Sequence, residues 1–520
     1  MVDLLFTNGS IIDGTGAPAY RGSVAVTGDA VQVIAGDASA IDAGRVVDAS
    51  RYVICPGFID MHSHSDLKLL TEPEHDAKIR QGVTTEGLGM DGLSYAPTTP
   101  RALEQLLVYL AAVNGTPPDG VRWSSVADFL ALFDGNSACN VFHFVPHSAI
   151  RVAVMGWSSR LPTDSELTQM QDLTRQGMRD GAFGFTTGLT YAPGAYSDTD
   201  ELASIASAAA EEGGFYCTHA RYTLGDRLLD PFREAVEIGR RSGAPVHISH
   251  YHSPVAGLGA QMTGLVDDAR NRGQDVTFDQ YPYPAASTIL HSLLPYWVHA
   301  GGPQALLNRI ADQQVRELMV RAVEPQWGGQ TLDNYIFAHI ASDKNKEWEG
   351  RSLEELAQNR GGRMVDAVCD LLMEEDLQVA FVARTGNLEN IREIASHPAQ
   401  MIGTDAILTG GRPNPRTYGT YPYVLSQFVR GEGLFSLEQA VRKMTGAPAR
   451  RLGLTDRGVI RDGAKADLVL FDPQTVDTLA TFEDPTQFPV GIDYVAVNGS
   501  LVIDNGEHTG ARPGRALRSQ

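Results

Sequence analysis

The stretch PGFIDMHSHSD, residues 56–66, ends a short apolar run with two histidines, His62 and His64, one residue apart. Residues two apart on a β-strand point to the same side, so both imidazoles can aim at one point. The pair alone is a weak signal. Whether the pair indicates a metal site depends on whether other predicted strands also end in residues that can bind a metal.

Seven more short apolar runs follow this one, and helix-like segments separate several of them. One such segment begins with Thr163 and Glu166 in capping-box spacing. Strand and helix alternating eight times over this length predict an α/β fold with a (β/α)8 TIM-like barrel. The eight runs read GFIDMHSH, GVTTEGLGMD, NVFHFVPH, GAFGFTTGL, GGFYCTHAR, APVHISHYH, DVTFDQYPY and AQMIGTDA.

The two ends of the chain are different in kind from the middle. Both contain β-branched runs broken by Gly, Asn and Asp, which is a hairpin pattern. We therefore expect both termini to form one small β-sandwich domain, from residues 1–55 and 454–520. The barrel then spans residues 56–453, with an insertion around 290–395 that is too long for a single connection.

Polar side chains fall where several of the predicted barrel strands end. Carboxyl ends of barrel strands converge on one face, and imidazole and carboxylate are the usual non-thiolate ligands of zinc. Each histidine alone is more typical of a hydrogen-bonded interior residue, and each aspartate of a turn. Their shared position favours a site for one or two Zn²⁺ ions, with the ligands His62, His64, Asp91, His219, His250 and Asp405.

Composition excludes several classes of protein. The 520 residues carry a formal net charge of −21, whereas nucleic-acid binding requires clustered Lys and Arg. We see no apolar run long enough to span a membrane and no signal-peptide pattern. The four cysteines are scattered without a CxxC motif. These features predict a cytoplasmic protein with no membrane or nucleic-acid partner, and they leave a homo-oligomer open.

The motifs as a set resemble the D-aminoacylases (N-acyl-D-amino-acid deacylases) of the amidohydrolase superfamily. The resemblance runs nearly end to end, and its motifs occur in family order. It implies a zinc-dependent barrel that hydrolyses a linear amide, with a small-molecule N-acyl-D-amino acid or related N-acyl compound as substrate. The motifs are PGFIDMHSHSD, GVTTEGLGMDGLSYAP, GFTTGLTYAPGAYS, YCTHAR, HISHYH, FDQYPYPAAST, MIGTDA and NPRTYGTYPYVLSQFVR.

The resemblance also implies roles for individual residues. Asp405 is the expected proton shuttle, which takes a proton from water and returns it to the leaving nitrogen. One metal ion is expected to bind tightly through Asp91, His219 and His250, and a weaker second ion through His62 and His64. Arg416 matches the arginine that pairs with the substrate carboxylate. The other substrate-side matches are Tyr191, Tyr283 and Ser287.

Two positions depart from the family pattern. Asp91, in GMDG, stands where relatives carry a metal-binding cysteine, and its carboxylate is a harder ligand than thiolate. His252, in SHYH, stands where relatives commonly carry a lysine near the substrate. His252 is open to three interpretations: a metal ligand, a substrate contact or a polar lining residue.

Other functions remain as alternatives. A cyclic-amide hydrolase of the hydantoinase or dihydroorotase type usually needs a carboxylated lysine at a strand end, and GAFGFTTGL ends without one. A deaminase fits the motifs poorly. A non-catalytic barrel would have lost metal ligands, whereas here the set is complete.

Overall fold

The computed structural model describes residues 1–327 and 332–519. Eight short parallel strands form a closed barrel, which confirms the predicted (β/α)8 fold. All eight coincide with the apolar runs of the sequence. Their bounds are Phe58–Asp60, Val83–Leu88, Asn140–His143 continued by Val145–Pro146, Gly184–Gly188, Phe215–His219, Val246–Ile248, Val276–Gln280 and Gln400–Ile402. We number these barrel strands 1 to 8.

The barrel closes between strands 8 and 1. The N–H of Asp405 donates to the carbonyl of His62 at 2.8 Å, and the short strand Ala406–Ile407 pairs in parallel with Ser63–His64. The first and last ligand-bearing segments of the barrel are therefore neighbours, although more than 300 residues separate them. This closure brings His62, His64 and Asp405 to one place.

Helices pack around the barrel and follow the local sequence signals. The helix Asp164–Arg179 begins at the predicted capping box, where Thr163 and Glu166 satisfy each other's backbone N–H groups. Helices also begin beyond strand 8, at Arg416. The helices that accompany the barrel are Lys68–Thr71, Asp76–Ile79, Pro100–Asn114, Val126–Ala131, His147–Met155, Asp164–Arg179, Thr199–Glu211, Asp230–Ser242, Gly259–Asn271, Arg416–Tyr423, Leu437–Met444 and Gly446–Arg451.

An insertion lies between strands 7 and 8. It contains an antiparallel sheet of three strands, in which Val379–Ala383 pairs with both Ala286–Ile289 and Tyr335–Ile340. Before its first helix, two 3₁₀ turns, Leu290–Leu293 and Tyr296–His299, run past the barrel mouth. Its helices are Pro303–Ala311, Gln313–Trp327, Leu353–Arg360, Met364–Glu374 and Leu388–Ala395.

Strands from both ends of the chain share one nine-stranded sheet. The two parts join where Val53–Pro56 pairs antiparallel with Leu468–Phe471. The last residues then return to the barrel, where Leu517 N–H donates to the carbonyl of Val141 at 2.7 Å. The remaining strands are Val2–Ile11, Tyr20–Thr27, Ala30–Ile34, Ala43–Asp48, Ile492–Val497, Ser500–Asp504 and Glu507–His508. The exact domain boundaries stay a prediction.

Among residues 1–327 and 332–519, none of the helices combines the length and apolar character that a membrane crossing requires.

Candidate metal centre

The six residues predicted as metal ligands lie together at the carboxyl ends of the barrel strands. Five strand ends contribute to the group, and every member is buried. Side chains from distant parts of the sequence thus converge at the face where barrel active sites are built. The members are His62, His64, Asp91, His219, His250 and Asp405.

Asp91 lies at the middle of this group. Its Oδ2 is 3.3 Å from Nε2 of His62 and also 3.3 Å from Nε2 of His250. Two sets of ligand atoms each lie within 4.8 Å of one another, and Asp91 belongs to both. One set adds His62, His64 and Asp405, and the other adds His219 and His250. The arrangement therefore suits two neighbouring cations that share one carboxylate.

Three of these residues adopt a left-handed backbone conformation where their strands end. The φ angles are 54° at Asp91, 33° at His250 and 48° at Asp405. Aspartate and histidine adopt this region more often than most residues, but it is uncommon for any residue other than glycine. Such conformations concentrate at functional sites, where the surrounding structure holds them in place. Here they turn the side chains toward the shared centre.

Burial and charge set the protonation of the group. Burial lowers the pKa of His219 to about 4, so its imidazole is neutral at pH 7, which is the form that binds metal. Burial acts to raise the pKa of Asp91, but the charges of His62 and His250 outweigh it and hold the pKa well below its usual value. His219 thus offers a neutral imidazole beside the ionised carboxylate of Asp91. At His62 and His64, burial acts to lower the pKa, but the neighbouring carboxylates outweigh it and raise the pKa above its usual value.

Several polar atoms of the centre have no hydrogen-bond partner among the described residues. They include Nε2 of His62, Nδ1 of His64 and Oδ1 of Asp91. Buried polar atoms without partners are uncommon and call for an explanation. A divalent cation satisfies imidazole nitrogen and carboxylate oxygen together, so these residues fit the metal that the sequence predicts.

Asp279, at the end of strand 7, supports the centre from below. Its Oδ2 lies 3.4 Å from Nδ1 of His62 and 3.1 Å from Nε2 of His247. Its Oδ1 accepts the backbone N–H of His250 at 2.8 Å. Asp279 was not predicted as a site residue, since it lies inside the run DVTFDQYPY and not at its end.

A buried ion pair lies where the barrel closes beneath the centre. The Lys78 ammonium donates to the Asp60 carboxylate and, at 2.6 Å, to Oγ1 of Thr404. Asp60 Oδ1 also accepts the N–H of Thr404 at 2.9 Å and the N–H of His62 at 3.1 Å. These bonds fix the backbones that precede Asp405 and carry His62. No pattern in the sequence indicates this pair.

Three of the predicted substrate-side residues line the cavity above the centre. These are Tyr191, Ser287 and His252. The Tyr191 hydroxyl lies 2.8 Å from Oγ1 of Thr288, and burial raises its pKa, so the phenol stays protonated. The Ser287 hydroxyl donates to a backbone carbonyl of the insertion sheet, that of Phe381, at 2.9 Å. His252 lies outside both sets of grouped ligand atoms.

Arg416 and Tyr283 lie deeper than the sequence suggests. Arg416 is fully buried, with Nη2 2.9 Å from Oδ2 of Asp405 and its guanidinium 4.2 Å from the centre of the Tyr281 ring. Tyr281, which sequence reasoning passed over, lines the cavity. Tyr283 instead packs against Tyr423, with ring centres 4.9 Å apart. The tyrosine that faces the cavity from strand 7 is therefore Tyr281.

This fold and this centre define a metal-dependent hydrolase of C–N bonds that are not peptide bonds. A sequence profile described as "Amidohydrolase family" matches residues 45–503. The chain belongs to the amidohydrolase family, in agreement with the motifs of the sequence.

Known proteins resemble the chain over nearly its whole length. D-aminoacylase of Alcaligenes xylosoxydans xylosoxydans is 36% identical, over 99% of this chain and 97% of its own. N-acyl-D-aspartate deacylase of the same organism is 34% identical, over 99% of this chain and 95% of its own length. A solved structure of N-acyl-D-glutamate deacylase from Bordetella bronchiseptica, complexed with zinc and a phosphonate that mimics the tetrahedral intermediate, is 32% identical with a TM-score of 0.83, over 99% of both chains.

Proposed function

We propose that this protein hydrolyses N-acyl-D-amino acids to a carboxylic acid and a D-amino acid, with one or two Zn²⁺ ions as cofactor. One observation carries the proposal: Asp91 lies within 3.6 Å of four imidazoles, beside the ion pair of Asp405 and Arg416. The relatives named for deacylation of D-amino acids, aspartate and glutamate among them, support the substrate class.

The proposed mechanism divides the work between the metal and the side chains. Zn²⁺ held by these ligands would polarise the amide carbonyl and acidify water. Asp405 takes the proton of the attacking water and transfers it to the leaving nitrogen. Burial acts to raise the pKa of Asp405, but Arg416 and His62 hold it below its usual value, so the carboxylate is ionised, which is the form that a general base requires.

Tyr191 and Arg416 are proposed to bind the substrate. Tyr191 keeps its phenolic proton, so it can donate to an oxyanion as negative charge develops on the carbonyl oxygen. Nε of Arg416 is buried and has no hydrogen-bond partner among the described residues. A carboxylate satisfies such a guanidinium through paired hydrogen bonds. We propose that this carboxylate is the α-carboxylate of the amino-acid half, with Tyr281 beneath the guanidinium.

The cyclic-amide alternative receives less support. A carboxylated lysine would have to stand near the ligands, but strand 4, Gly184–Gly188, carries none. Lys78, which lies below the centre, is engaged with Asp60 and Thr404. The centre is built instead around Asp91, and a linear amide remains the proposed substrate.

A cytoplasmic location is proposed for the enzyme. All four cysteines are buried and unpaired, which suits a reducing compartment. Its partner in this proposal is the small-molecule substrate, and the net charge of −21 argues against nucleic acid.

The proposal is tested by metal analysis of the purified protein and by a substrate panel. The panel contains N-acetyl-D-amino acids, their L enantiomers and a cyclic imide of the hydantoin type. We expect zinc at one to two equivalents per chain and turnover of the D compounds that is lost with a chelator and restored with Zn²⁺. Turnover of the cyclic imide alone, or of L enantiomers in preference, would contradict the proposal.

A further inference from the structure

The cavity above the metal centre is large for a small N-acyl amino acid. Its volume is about 1140 Å³, whereas sites for drug-sized ligands typically measure ~300–1,000 Å³. An N-acetyl amino acid would leave much of this space to water. The following inference deepens the proposed function and rests on it, because it concerns the group that fills the remaining space.

One wall of the cavity is apolar and comes from the insertion. It includes Leu293, Leu294, Pro295, Tyr296 and Trp297. These residues lie in the first two 3₁₀ turns of the insertion and in the link between them. Trp297 is 42% exposed, which is unusual for so large an apolar side chain at a cavity rim. Among the described lining residues, carboxylates occur only in the metal centre, at Asp91 and Asp405. Apolar groups are therefore favoured against this wall, and cationic groups are not.

Hydrogen bonds hold the wall in place across the barrel mouth. The hydroxyl of Tyr196, which follows strand 4, donates to the carbonyl of Tyr296 at 2.7 Å. The hydroxyl of Tyr296 in turn lies 3.1 Å from Oγ1 of Thr223, which follows strand 5. A wall tethered in advance loses little freedom when a ligand binds, so apolar contact with it adds to affinity.

The order of the strands around the barrel determines the orientation of the bound substrate. Tyr281 and Asp405 follow strands 7 and 8, and Arg416 begins the helix after strand 8. In an eight-stranded barrel, strand 4 lies opposite strand 8. A substrate whose α-carboxylate pairs with Arg416 therefore directs its acyl half across the mouth, toward Tyr196 and the wall that carries Trp297. We propose that the preferred acyl group is bulky and apolar, an aromatic or long aliphatic acyl group and not acetyl.

The first experiment compares three D-amino-acid derivatives as substrates: N-acetyl-D-alanine, N-phenylacetyl-D-alanine and N-acetyl-D-phenylalanine. Burial of an added phenyl group against the wall should raise kcat/KM for the phenylacetyl compound roughly 10- to 100-fold over acetyl. The proposal is overturned if acetyl and phenylacetyl compounds react equally. It is also overturned if the gain appears only when the phenyl group is on the amino-acid side chain.

A pair of variants tests the wall itself. Trp297→Ala should remove most of the preference for phenylacetyl over acetyl, measured as the ratio of the two kcat/KM values. Phe488→Ala is the matched control, because Phe488 is 41% exposed but is not among the cavity-lining residues. It should leave the preference unchanged. An equal loss of the phenylacetyl preference in both variants, or no loss of it in Trp297→Ala, would contradict the proposed role of the wall.

A binding measurement separates this inference from the proposed function. In calorimetric titrations of the zinc-loaded enzyme, phenylacetate should bind at least tenfold more tightly than acetate, and Trp297→Ala should reduce that difference. If no N-acyl compound is hydrolysed but this difference is found, the proposed reaction fails and the apolar acyl site stands. If the compounds are hydrolysed and phenylacetate binds no better than acetate, the acyl inference fails and the reaction stands.

Discussion

The Arg416 guanidinium lies 2.9 Å from the Asp405 carboxylate, and both groups are buried. The pair joins the proposed proton shuttle to the proposed anchor of the substrate carboxylate. Since the two residues touch, their effects on catalysis can be separated only by substitutions that change one chemical property at a time.

Asp405→Asn removes the ability to carry a proton but keeps the size of the side chain. Loss of general acid–base catalysis typically reduces turnover by ~10²–10⁴-fold. We therefore expect kcat to fall in that range while the other five ligands retain most of the zinc. Steady-state kinetics and metal analysis on the same preparation check this expectation. A variant that loses zinc and activity in parallel would instead identify Asp405 as a ligand without a proton role.

Arg416→Lys retains a positive charge but loses the planar fork that pairs with a carboxylate. A hydrogen bond to a charged group contributes about 1.5–3 kcal/mol, so KM for an N-acyl-D-amino acid should rise roughly 10- to 100-fold. The control is the matching N-acyl-D-amino-acid amide, which has no carboxylate and should respond little. An equal rise in KM for acid and amide would assign Arg416 to support of Asp405 alone.

Asp91→Asn should impair both metal positions, because Asp91 belongs to both sets of ligand atoms. His64→Asn, by comparison, affects one set and should leave the position formed by His219 and His250 occupied. Metal content after dialysis against a weak chelator distinguishes the two variants. Asp91→Cys supplies the thiolate that the family resemblance implies at this position, and it should restore binding with a preference shifted toward softer metals. Equal metal content in Asp91→Asn and His64→Asn would refute the shared position.

Asp279→Asn should weaken metal binding without removing a ligand. Its carboxylate faces Nδ1 of His62 and so favours the tautomer whose Nε2 is free to bind metal. Loss of such a partner typically costs ~10- to 100-fold in metal affinity or activity. Competition with a fluorescent zinc chelator measures the change. Unaltered zinc affinity, with reduced thermal stability alone, would limit Asp279 to a structural role.

Lys443 predicts a pH dependence of stability outside the active site. Burial lowers its pKa from 10.5 to about 7, and its ammonium donates to the carbonyl of His397. Between these pH values the unfolded chain holds a proton that the native protein has released, so the free energy of unfolding rises with pH. From pH 7 to 9 this rise is at most about 2 kcal/mol. Urea titrations should show that Lys443→Met loses this part of the rise. A variant with the same pH slope as the wild type would contradict the shift.

Much of the fold could be predicted from the sequence because the patterns that indicate it are local. Each barrel strand is a short apolar run bounded by turn residues. The capping box of Thr163 and Glu166 indicates where the helix Asp164–Arg179 begins. The ligands were readable for the same reason, since His219 ends strand 5 and His250 and Asp91 follow strands 6 and 2. Metal binding by these residues depends on the type of side chain and on its position at a strand end, and both can be identified from the sequence.

Other features depend on which segments meet, and the tertiary structure alone decided them. Lys78 stands in an unremarkable helical turn until barrel closure presents Asp60 and Thr404 to it. Tyr281 and Tyr283 lie two residues apart in the segment that follows strand 7, and only packing determines that Tyr281 faces the cavity while Tyr283 packs against Tyr423. Sequence patterns report the periodicity of a single segment. Contacts between segments depend on closure and packing geometry, which no single segment encodes.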